Sequence, residues 1–326
     1  MGLTVAVTGP TGEIGISAVD ALEEHPDVER IIGMARRAFS PEARGWTKTE
    51  YRQGDILDRD AVDALVADAD IVVHLAFIIM GSRDESARIN LRGTRNVFEA
   101  AVASPRTRRL VYTSSVAAYG YHPDNPVPIT EEVPPRGSPE HYYSEQKAAC
   151  EAVLAEVTAG SSLEVYVLRP CIVAGPKAPA LAETMPWNRL PDGVRRLSGA
   201  VPLLKPPFPD PGLAVQLVHH DDVASAIALA ATTSAPPGAY NLAADGLLTF
   251  SEVGEALGAR PIRVPHLAAR ATSEVLSRLP FVPSGLEWLH AGRASTVMDT
   301  SKAKAQLGWT PKYTAAETLS GLAESI

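Results

Sequence analysis

Residues 3–15 of the chain read LTVAVTGPTGEIG. The first six residues are typical of a short buried strand, and apolar residues recur at helical spacing from Ile14 onward. Gly9, Gly12 and Gly15 lie at the turn between the two elements. Glycines at such a turn let backbone N–H groups approach a pyrophosphate, and the helix N-terminus adds a partial positive charge. The motif and its place after the first strand therefore predict a dinucleotide-binding turn.

The first half of the chain alternates β-rich and helical segments. Strands are predicted at 3–8, 28–35, 49–53, 70–75, 108–113 and 163–169. Helices are predicted at 13–24, 58–67, 84–103 and 143–159. This alternation is typical of parallel strands joined by crossover helices, so we expect an α/β fold with a doubly wound parallel sheet.

The composition changes after residue 173. The segment 174–214 is rich in proline, most of all between Lys205 and Gly212, and is predicted to be a loop over a site. Beyond it we expect a strand at 215–218 and helices at 221–232, 249–257, 266–278 and 312–325. The predicted division is a dinucleotide-binding domain at 1–173, to which 215–235 contributes, and a smaller, irregular substrate-binding lobe at 174–326.

Composition narrows the class of partner. The chain has 326 residues, a hydrophobic content of 45% and a formal charge of -8 with no basic block. These values favour a packed core and a small-molecule substrate, and argue against nucleic acid or an anionic membrane. No apolar run approaches the ~20 residues that span a bilayer and no secretory leader is evident, so we expect a cytoplasmic protein. Cys150 and Cys171 are expected to be buried reduced thiols, and no metal site is predicted.

The end of the second predicted strand bears on the choice of nucleotide. In a dinucleotide fold an acidic residue roughly 20 positions after the glycine turn binds the ribose 2′-OH of NAD. Here that position is Ala35, followed by Arg36 and Arg37. Guanidinium groups form charge-assisted hydrogen bonds with a 2′-phosphate, so NADP is favoured and NAD stays possible. Asp55, after the next strand, is expected either to bind the adenine amino group or to cap the following helix.

A pair of residues in the middle of the chain indicates proton transfer. Tyr143 and Lys147 are four residues apart and share one face of a predicted helix. A neighbouring ammonium is expected to lower the pKa of the tyrosine toward the working pH. The neighbouring Tyr142 has no lysine at that spacing. Ser114 and Ser115, at the end of a predicted strand, are candidates to hold the substrate oxygen.

Further motifs follow the glycine turn in a fixed order. They are His74-Leu75-Ala76, Asn90-x-x-Gly93-Thr94-x-Asn96, Thr113-Ser114-Ser115, Tyr143-x-x-x-Lys147, Arg169-Pro170-x-x-Val173-x-Gly175-Pro176, Val218-His219-His220-Asp221-Asp222-Val223-Ala224, Tyr240-Asn241-Leu242, Asp299-Thr300-Ser301-Lys302-Ala303 and Leu307-Gly308-Trp309. With the glycine turn, they resemble the extended short-chain dehydrogenase/reductase superfamily, also called the NAD-dependent epimerase/dehydratase family. The resemblance covers nearly the whole chain.

The resemblance implies a Rossmann-type sheet, a C-terminal substrate lobe and a Ser-Tyr-Lys triad. The catalytic serine of the family lies five residues before the glycine that matches Gly120, which gives Ser115, with Ser114 as the alternative. The cofactor contacts expected are Gly9, Thr11, Gly12, Glu13, Ile14, Arg36, Asp55, Ile56, Leu75, Ala76, Asn90, Tyr143, Lys147, Pro170, Ile172 and Val173. For Asn90, bracing of the sheet is an equal alternative.

Two other motif residues are expected to be structural, and the resemblance also bears on assembly. His74 is expected to be a hydrogen-bonded core histidine, and Asp222 to cap and pack. The resemblance further implies a homodimer formed through helices 84–103 and 143–159.

The resemblance weakens at the substrate. Nucleotide-sugar epimerases of the family usually carry Asn where this chain has Ile172, and Arg where it has Leu289. The expected pocket lining is apolar, namely Phe77, Ile78, Ile79, Met80 and Trp187. Arg189, Arg195, Arg196 and Arg293 are either diphosphate ligands or surface charges. We therefore expect an oxidoreductase for a small, largely apolar carbonyl or alcohol. The alternatives are a nucleotide-sugar epimerase or dehydratase and a non-catalytic cofactor sensor.

Overall fold

The computed structural model describes residues 2–79, 83–185, 187, 205–264 and 294–325. The strands, in chain order, are β1 Leu3–Thr8, β2 Val28–Ala35, β3 Thr49–Gln53, β4 Ile71–His74, β5 Arg109–Thr113, β6 Glu164–Pro170, β7 Ile172–Ala174, β8 Pro207–Asp210, β9 Ala214–Val215, β10 Leu217–His219, β11 Gly238–Leu242, β12 Leu248–Thr249 and β13 Arg260–Arg263. The α-helices are α1 Glu13–Glu24, α2 Arg59–Val66, α3 Arg83–Ala87, α4 Thr94–Ala103, α5 Tyr142–Thr158, α6 Ala180–Glu183, α7 His220–Thr232, α8 Phe250–Ala256 and α9 Ala315–Glu324.

Seven strands form the main sheet, in the order β11-β6-β5-β4-β1-β2-β3. Every neighbouring pair is parallel, as the alternating pattern of the sequence predicts. Thr8, at the end of β1, lies between Met34 of β2 and His74 of β4. The strand order reverses at β1, and the crevice at such a reversal is where open α/β sheets bind their ligands. The predicted doubly wound α/β fold is confirmed.

The sheet is covered on both faces. Helices α1 and α7 pack against each other on one face, over Val5, Val73 and Val111. Helices α2, α4 and α5 cover the other face, over Ala6 and Val72. The side chains of β1 therefore alternate between two cores, and the strand is buried on both faces.

The last described segment returns to the main sheet. Met298, Ala303, Leu307 and Trp309 belong to the core that α1 and α7 cover, and Trp309 is fully buried. The Trp309 indole N–H donates to the backbone oxygen of Asp222 at 2.9 Å. The predicted boundary at residue 173 therefore divides a core that is continuous in space. A separate small core lies around Phe208, Leu217 and Phe250.

The structure differs from the predicted elements at several places. The predicted helix 84–103 is α-helical at both ends, with a wider π-helical turn at Arg88–Gly93 between them. The proline-rich stretch contains β8, which pairs in parallel with β13. Pro207 and Pro209 alternate there with Phe208 and Asp210, and a proline has no N–H to donate. The strand can therefore pair along only one edge, which is sufficient in a two-stranded sheet.

A further difference is the strand predicted at 215–218, which is divided between β9 and β10. The helix predicted at 266–278 lies outside the described residues. In the part of the chain that the structure describes, no helix is both long and apolar enough to cross a membrane.

Candidate active site

The glycine turn lies at the carboxyl end of β1. Gly9 has a φ of 75°, and a Cβ built on it would be 2.9 Å from the backbone nitrogen of Ala76. A Cβ on Gly15 would be only 2.0 Å from the backbone oxygen of Gly9, so the turn closes only because both residues are glycine. Gly12 precedes α1 and offers no side chain to cap it. The first N–H groups of α1 therefore have no side-chain cap from Gly12, which itself lines the crevice, as anion binding at a helix N-terminus requires.

A cavity of about 330 Å³ opens in front of this turn. It brings together eight of the predicted cofactor residues, namely Gly9, Thr11, Gly12, Arg36, Asp55, Ile56, Leu75 and Ala76. The sequence analysis did not assign seven other lining residues to the cofactor, namely Met34, Ala35, Arg37, Gly54, Phe77, Ile78 and Ile89. Of the other predicted contacts, Glu13 and Ile14 begin α1, and Pro170, Ile172 and Val173 lie at the ends of β6 and β7.

Charged residues stand at one end of this cavity. Arg36 and Arg37 are exposed and directly follow β2. The Arg36 backbone oxygen accepts a hydrogen bond from Gln53 at 2.9 Å, which fixes the backbone at the rim. Asp55 does not cap α2, because Asp58 accepts the capping hydrogen bonds from residues 60 and 61. One of the two roles expected of Asp55 is therefore wrong, and its carboxylate lies in the cavity lining.

His74 is a structural residue, as expected. Its Nδ1 lies 2.6 Å from Thr8 Oγ1 and its Nε2 lies 2.9 Å from Thr94 Oγ1. Burial, assisted by the nearby Lys147 ammonium, lowers the pKa of His74 to about 3. The ring is therefore neutral at physiological pH and holds the end of β4 against β1.

Asn90 is buried in the π-helical turn, and its amide is engaged by the chain itself. Its Oδ1 accepts from Ile78 N at 2.8 Å, and its Nδ2 donates to Ile78 O and to Gln146 Oε1. These bonds fix the segment after β4, which lines the cavity. The geometry gives Asn90 the bracing role, while a direct cofactor contact stays a prediction.

Tyr143 and Ser115 meet at the carboxyl end of the sheet. Ser115 follows β5, and its hydroxyl is close enough to Tyr143, in the first turn of α5, to lower the pKa of the phenol. Burial raises the pKa of Tyr143 above 10.0, and the Ser115 hydroxyl opposes that rise. The expectation that Lys147 lowers this pKa is wrong for this geometry, because desolvation of the phenol is the dominant influence.

Lys147 lies one turn further along the same face of α5. It is 4% exposed, and its Nζ donates to the backbone oxygen of Thr113 at 3.0 Å. Burial lowers the pKa of Lys147 to about 8, while Cys150 and Glu151 oppose that shift. The ammonium is therefore within reach of titration in the range where enzymes work.

The alternative serine, Ser114, is committed to a buried ion pair. Its hydroxyl donates to Glu151 Oε1 at 2.6 Å, and Glu151 binds the Arg169 guanidinium through both carboxylate oxygens, at 3.0 and 2.6 Å. Arg169 also donates to Tyr119 Oη, which donates to Asn241. This network ties α5 to the ends of β5, β6 and β11. It leaves Ser115 as the serine that faces Tyr143.

A second, apolar cavity of about 50 Å³ begins beside the site. Val116, the residue after Ser115, and Ile172, after β6, belong to its lining. The other lining residues are Cys171, Leu181, Met185, Phe208, Ala214, Val215, Gln216, Phe250, Val253 and Thr296. The one amide in this lining, on Gln216, is bound to the backbone of Met298 through both of its polar atoms.

The expected substrate lining is only partly reproduced. Phe77 and Ile78 line the larger cavity, and Ile79 is exposed. Trp187 is instead buried in the small core, where its Nε1 donates to Leu257 O at 2.7 Å. The remaining positions, namely Met80, Arg189, Arg195, Arg196, Leu289 and Arg293, lie outside the described residues.

The histidine-rich motif holds α7 in place. His219 caps this helix by accepting from Asp221 N, and His220 accepts from Lys177 N through Nε2. The ligand atoms of these two histidines and of Asp221 lie within 4.8 Å of one another, but His219 Nδ1 and both ring nitrogens of His220 are engaged by these bonds and by Ser17. The Asp222 carboxylate accepts from the backbone of residues 312 and 313, which confirms the packing role expected of it, whereas the expected capping role is wrong because His219 caps α7. Cys150 and Cys171 are buried free thiols, as predicted.

The residues present fit a nicotinamide dinucleotide. The glycine turn and the start of α1 present N–H groups for a pyrophosphate, and the cavity runs from that turn to the arginines after β2. At the opposite side, Thr113 Oγ1 is buried without a hydrogen-bond partner among the described residues. Such a hydroxyl beside Lys147 is suited to a ligand hydroxyl or amide.

Comparison with known proteins agrees with this geometry. A family model described as the NAD dependent epimerase/dehydratase family matches residues 5–243. The chain belongs to this family. Its membership confirms the superfamily that the motifs resemble, and with it the expectation of an enzyme. The Sinorhizobium fredii protein y4nG is 28% identical over 320 residues, covering 95% of this chain and 75% of that protein.

Solved structures share the fold over the whole chain. WbmG of Bordetella bronchiseptica, in complex with NAD, has a TM-score of 0.70 at 21% identity, covering 100% of this chain and 94% of that one. UDP-glucose 4-epimerase of Thermotoga maritima, with UDP-glucose, has a TM-score of 0.72 at 21% identity, covering 99% and 98%. At these identities the likeness confirms the Rossmann-type fold of this member of the family.

Proposed function

We propose that this chain is an NAD(P)-dependent oxidoreductase that interconverts a small, largely apolar carbonyl compound and its alcohol. The observation that carries the proposal is that Ser115 lies near Tyr143, and that Val116, the residue after Ser115, lines an apolar cavity. When bound, the nicotinamide supplies the hydride acceptor or donor. The binding of NAD by WbmG supports a nicotinamide cofactor, and the exposed Arg36 and Arg37 at the rim favour NADP.

Three side chains carry the proposed chemistry. The hydroxyls of Ser115 and Tyr143 face each other, so a substrate oxygen placed between them accepts a hydrogen bond from each. Tyr143 donates a proton to that oxygen in reduction and accepts one in oxidation. Ser115 stabilises the charge that develops there. Lys147, anchored on Thr113 O, supplies a buried positive charge one helical turn away.

The lining beside these groups favours a hydrocarbon substituent. Val116 and Ile172 offer no hydrogen bond, and the Gln216 amide is already satisfied by Met298. A sugar hydroxyl or a phosphate placed there would lose its hydrogen bonds to water without replacement. The described part of the pocket therefore discriminates against polar ligands and favours aliphatic or aromatic ones.

A nucleotide-sugar epimerase or dehydratase is the second candidate. The observation that favours it is the fold shared with UDP-glucose 4-epimerase over 99% of this chain. In that case the same three residues would serve a transient oxidation, and the cofactor would be regenerated in each turnover. The proposed homodimer and the cytoplasmic location stay predictions under either candidate.

One experiment separates the two candidates. Purified protein is mixed with NADPH or NADH and a panel of aliphatic and aromatic ketones, and the absorbance at 340 nm is followed. UDP- and TDP-sugars are assayed in parallel by chromatography. The oxidoreductase proposal expects net cofactor consumption with ketones. No change at 340 nm together with conversion of a nucleotide sugar would reverse the order of the candidates.

Substitution of Tyr143 tests the assigned proton donor. Tyr143→Phe keeps the ring and removes the hydroxyl, so turnover is expected to fall by at least about 100-fold with little change in cofactor affinity. The matched control is Tyr142→Phe on the preceding residue, whose hydroxyl donates to Ile79 O. Turnover of Tyr143→Phe at the level of this control would remove Tyr143 from the mechanism.

A further inference from the structure

The ring of Phe77 contacts both members of the Tyr143–Lys147 pair. Lys147 Nζ lies 3.8 Å from the centroid of this ring, on its face. The ring of Tyr143 packs against Phe77 edge to face, with centroids 5.5 Å apart and planes at 85°. Phe77 also belongs to the lining of the dinucleotide cavity. One side chain thus joins the ammonium, the phenol and the proposed cofactor site.

A buried ammonium needs such a partner. Lys147 has one hydrogen bond to a backbone oxygen, and the face of an aromatic ring attracts a cation through its quadrupole, most strongly where water is excluded. The rings of Tyr112 and Tyr143 lie further away, at 5.4 and 5.9 Å from the same nitrogen. Phe77 is therefore the closest of the three aromatic faces around Lys147.

We propose that Phe77 is a positioning residue for the reaction: its ring face holds the Lys147 ammonium and its contact with Tyr143 fixes the phenol beside Ser115. The role of Phe77 in turnover rests on the proposed function. Its contact with the Lys147 ammonium does not. A residue that only filled space could be replaced by leucine without an electrostatic effect. The proposal therefore predicts a change in the titration of Lys147 itself.

The other titratable and charged groups around Lys147 are the same in the wild type and in every variant at Phe77. Tyr143, Cys150 and Glu151 face it from α5, Tyr112 from β5 and His74 from β4, and Arg169 pairs with Glu151. His74 is neutral above about pH 3. None of these groups is removed by a substitution at Phe77. A shift in the pKa of Lys147 that occurs only in variants without the Phe77 ring is therefore caused by the loss of that ring.

The test compares Phe77→Leu, which loses the aromatic face, with Phe77→Tyr, which retains it. Trace acetylation of the cofactor-free protein, quantified by mass spectrometry across pH 6 to 10, gives the pKa of Lys147. Phe77→Leu is expected to lower this pKa by roughly 0.5 to 1 unit, and Phe77→Tyr to keep it at the wild-type value. The matched control is Phe98→Leu, since Phe98 packs on His74 and Tyr112.

Turnover gives a second, separate readout. Phe77→Leu is expected to lower kcat by about 3- to 10-fold with a smaller change in KM. Phe77→Tyr is expected to keep the wild-type kcat. A pKa of Lys147 that is unchanged or raised in Phe77→Leu would overturn the inference, whatever the substrate proves to be. The expected pKa shift in a protein that turns over no ketone would instead uphold the contact and reject the proposed function.

Discussion

Arg36, exposed in the lining of the larger cavity, is the residue that we propose selects the nucleotide. A pair between its guanidinium and a 2′-phosphate is charge-assisted and partly exposed, with a value of about 1.5–3 kcal/mol. Arg36→Ala is therefore expected to weaken NADP binding at least about tenfold and to change NAD binding less than about threefold. Ala35→Asp is expected to reverse the preference, because a carboxylate accepts from a 2′-OH and repels a phosphate.

Titration of both cofactors against the two variants and the wild type decides this point. Arg44→Ala is the control, since Arg44 is an exposed arginine in a short helix that does not contribute to the cavity lining. Equal binding of NAD and NADP by the wild type, or equal weakening of both by Arg36→Ala, would make Arg36 a general surface charge.

His74 is expected to make the free energy of unfolding depend on pH. Its pKa is about 3 in the folded chain and near 6.5 when unfolded, so the unfolded state binds a proton first as the pH falls. The free energy of unfolding is therefore expected to decrease between pH 6.5 and 5, by up to about 2 kcal/mol from this residue. Urea unfolding at pH 7.5, 6 and 5 measures it. His74→Gln should show a shallower dependence, and an equal slope would assign the effect to other groups.

At the level of the elements, the sequence predicted most of the sheet because central strands such as β1 and β4 are buried on both faces and read as apolar runs, although the edge strand β3 has no buried residue. β1, β2 and β3 begin and end at the predicted residues. The seventh strand, β11, was not predicted, since its five residues contain Gly238 and Asn241 and give a weak pattern. The π-helical turn was also missed, because the bonds of Asn90 that hold it are made to residues far along the chain.

The site could be predicted only where a motif carries it. The glycine turn lines the larger cavity, and the buried Lys147 follows Tyr143 by one turn of α5, as the motifs suggest. The pKa of Tyr143 could not be predicted from spacing, because the desolvation that dominates it depends on packing across the sheet. The contact between Phe77 and Lys147 joins residues 70 positions apart and has no local signal.

The junction between α7 and the C-terminal segment depends on one carboxylate. Asp222 is 2% exposed and accepts from Lys312 N at 2.7 Å and Tyr313 N at 3.1 Å. In Asp222→Asn, the side-chain NH2 group replaces one acceptor oxygen and faces a backbone N–H. One buried hydrogen bond is therefore lost, and the free energy of unfolding is expected to fall by about 1–3 kcal/mol. Asp245→Asn is the control, an exposed carboxylate paired with Lys304. Urea unfolding that does not separate the two variants would contradict this assignment.

At the scale of the whole molecule, the predicted dimer remains to be tested. On the two helices of the predicted interface, Ala100, Ala101 and Ala148 are buried within the chain, while Ala152 on α5 is exposed. If the dimer forms through α4 and α5, Ala152→Arg is expected to yield a monomer by light scattering at micromolar concentration. Ala43→Arg, on an exposed turn, should stay dimeric. A monomeric wild type would reject the dimer itself.

The return of residues 298–309 to the main core has a consequence for synthesis. Trp309 fills the core beneath α7 and bonds to Asp222, so the first lobe lacks a large part of its packing until this residue is available. During synthesis on the ribosome, the nucleotide-binding half therefore cannot complete its folding as soon as its own strands have emerged. It must wait until residues 298–309 are available, and a chain that ended at residue 243 would expose an apolar surface that favours aggregation.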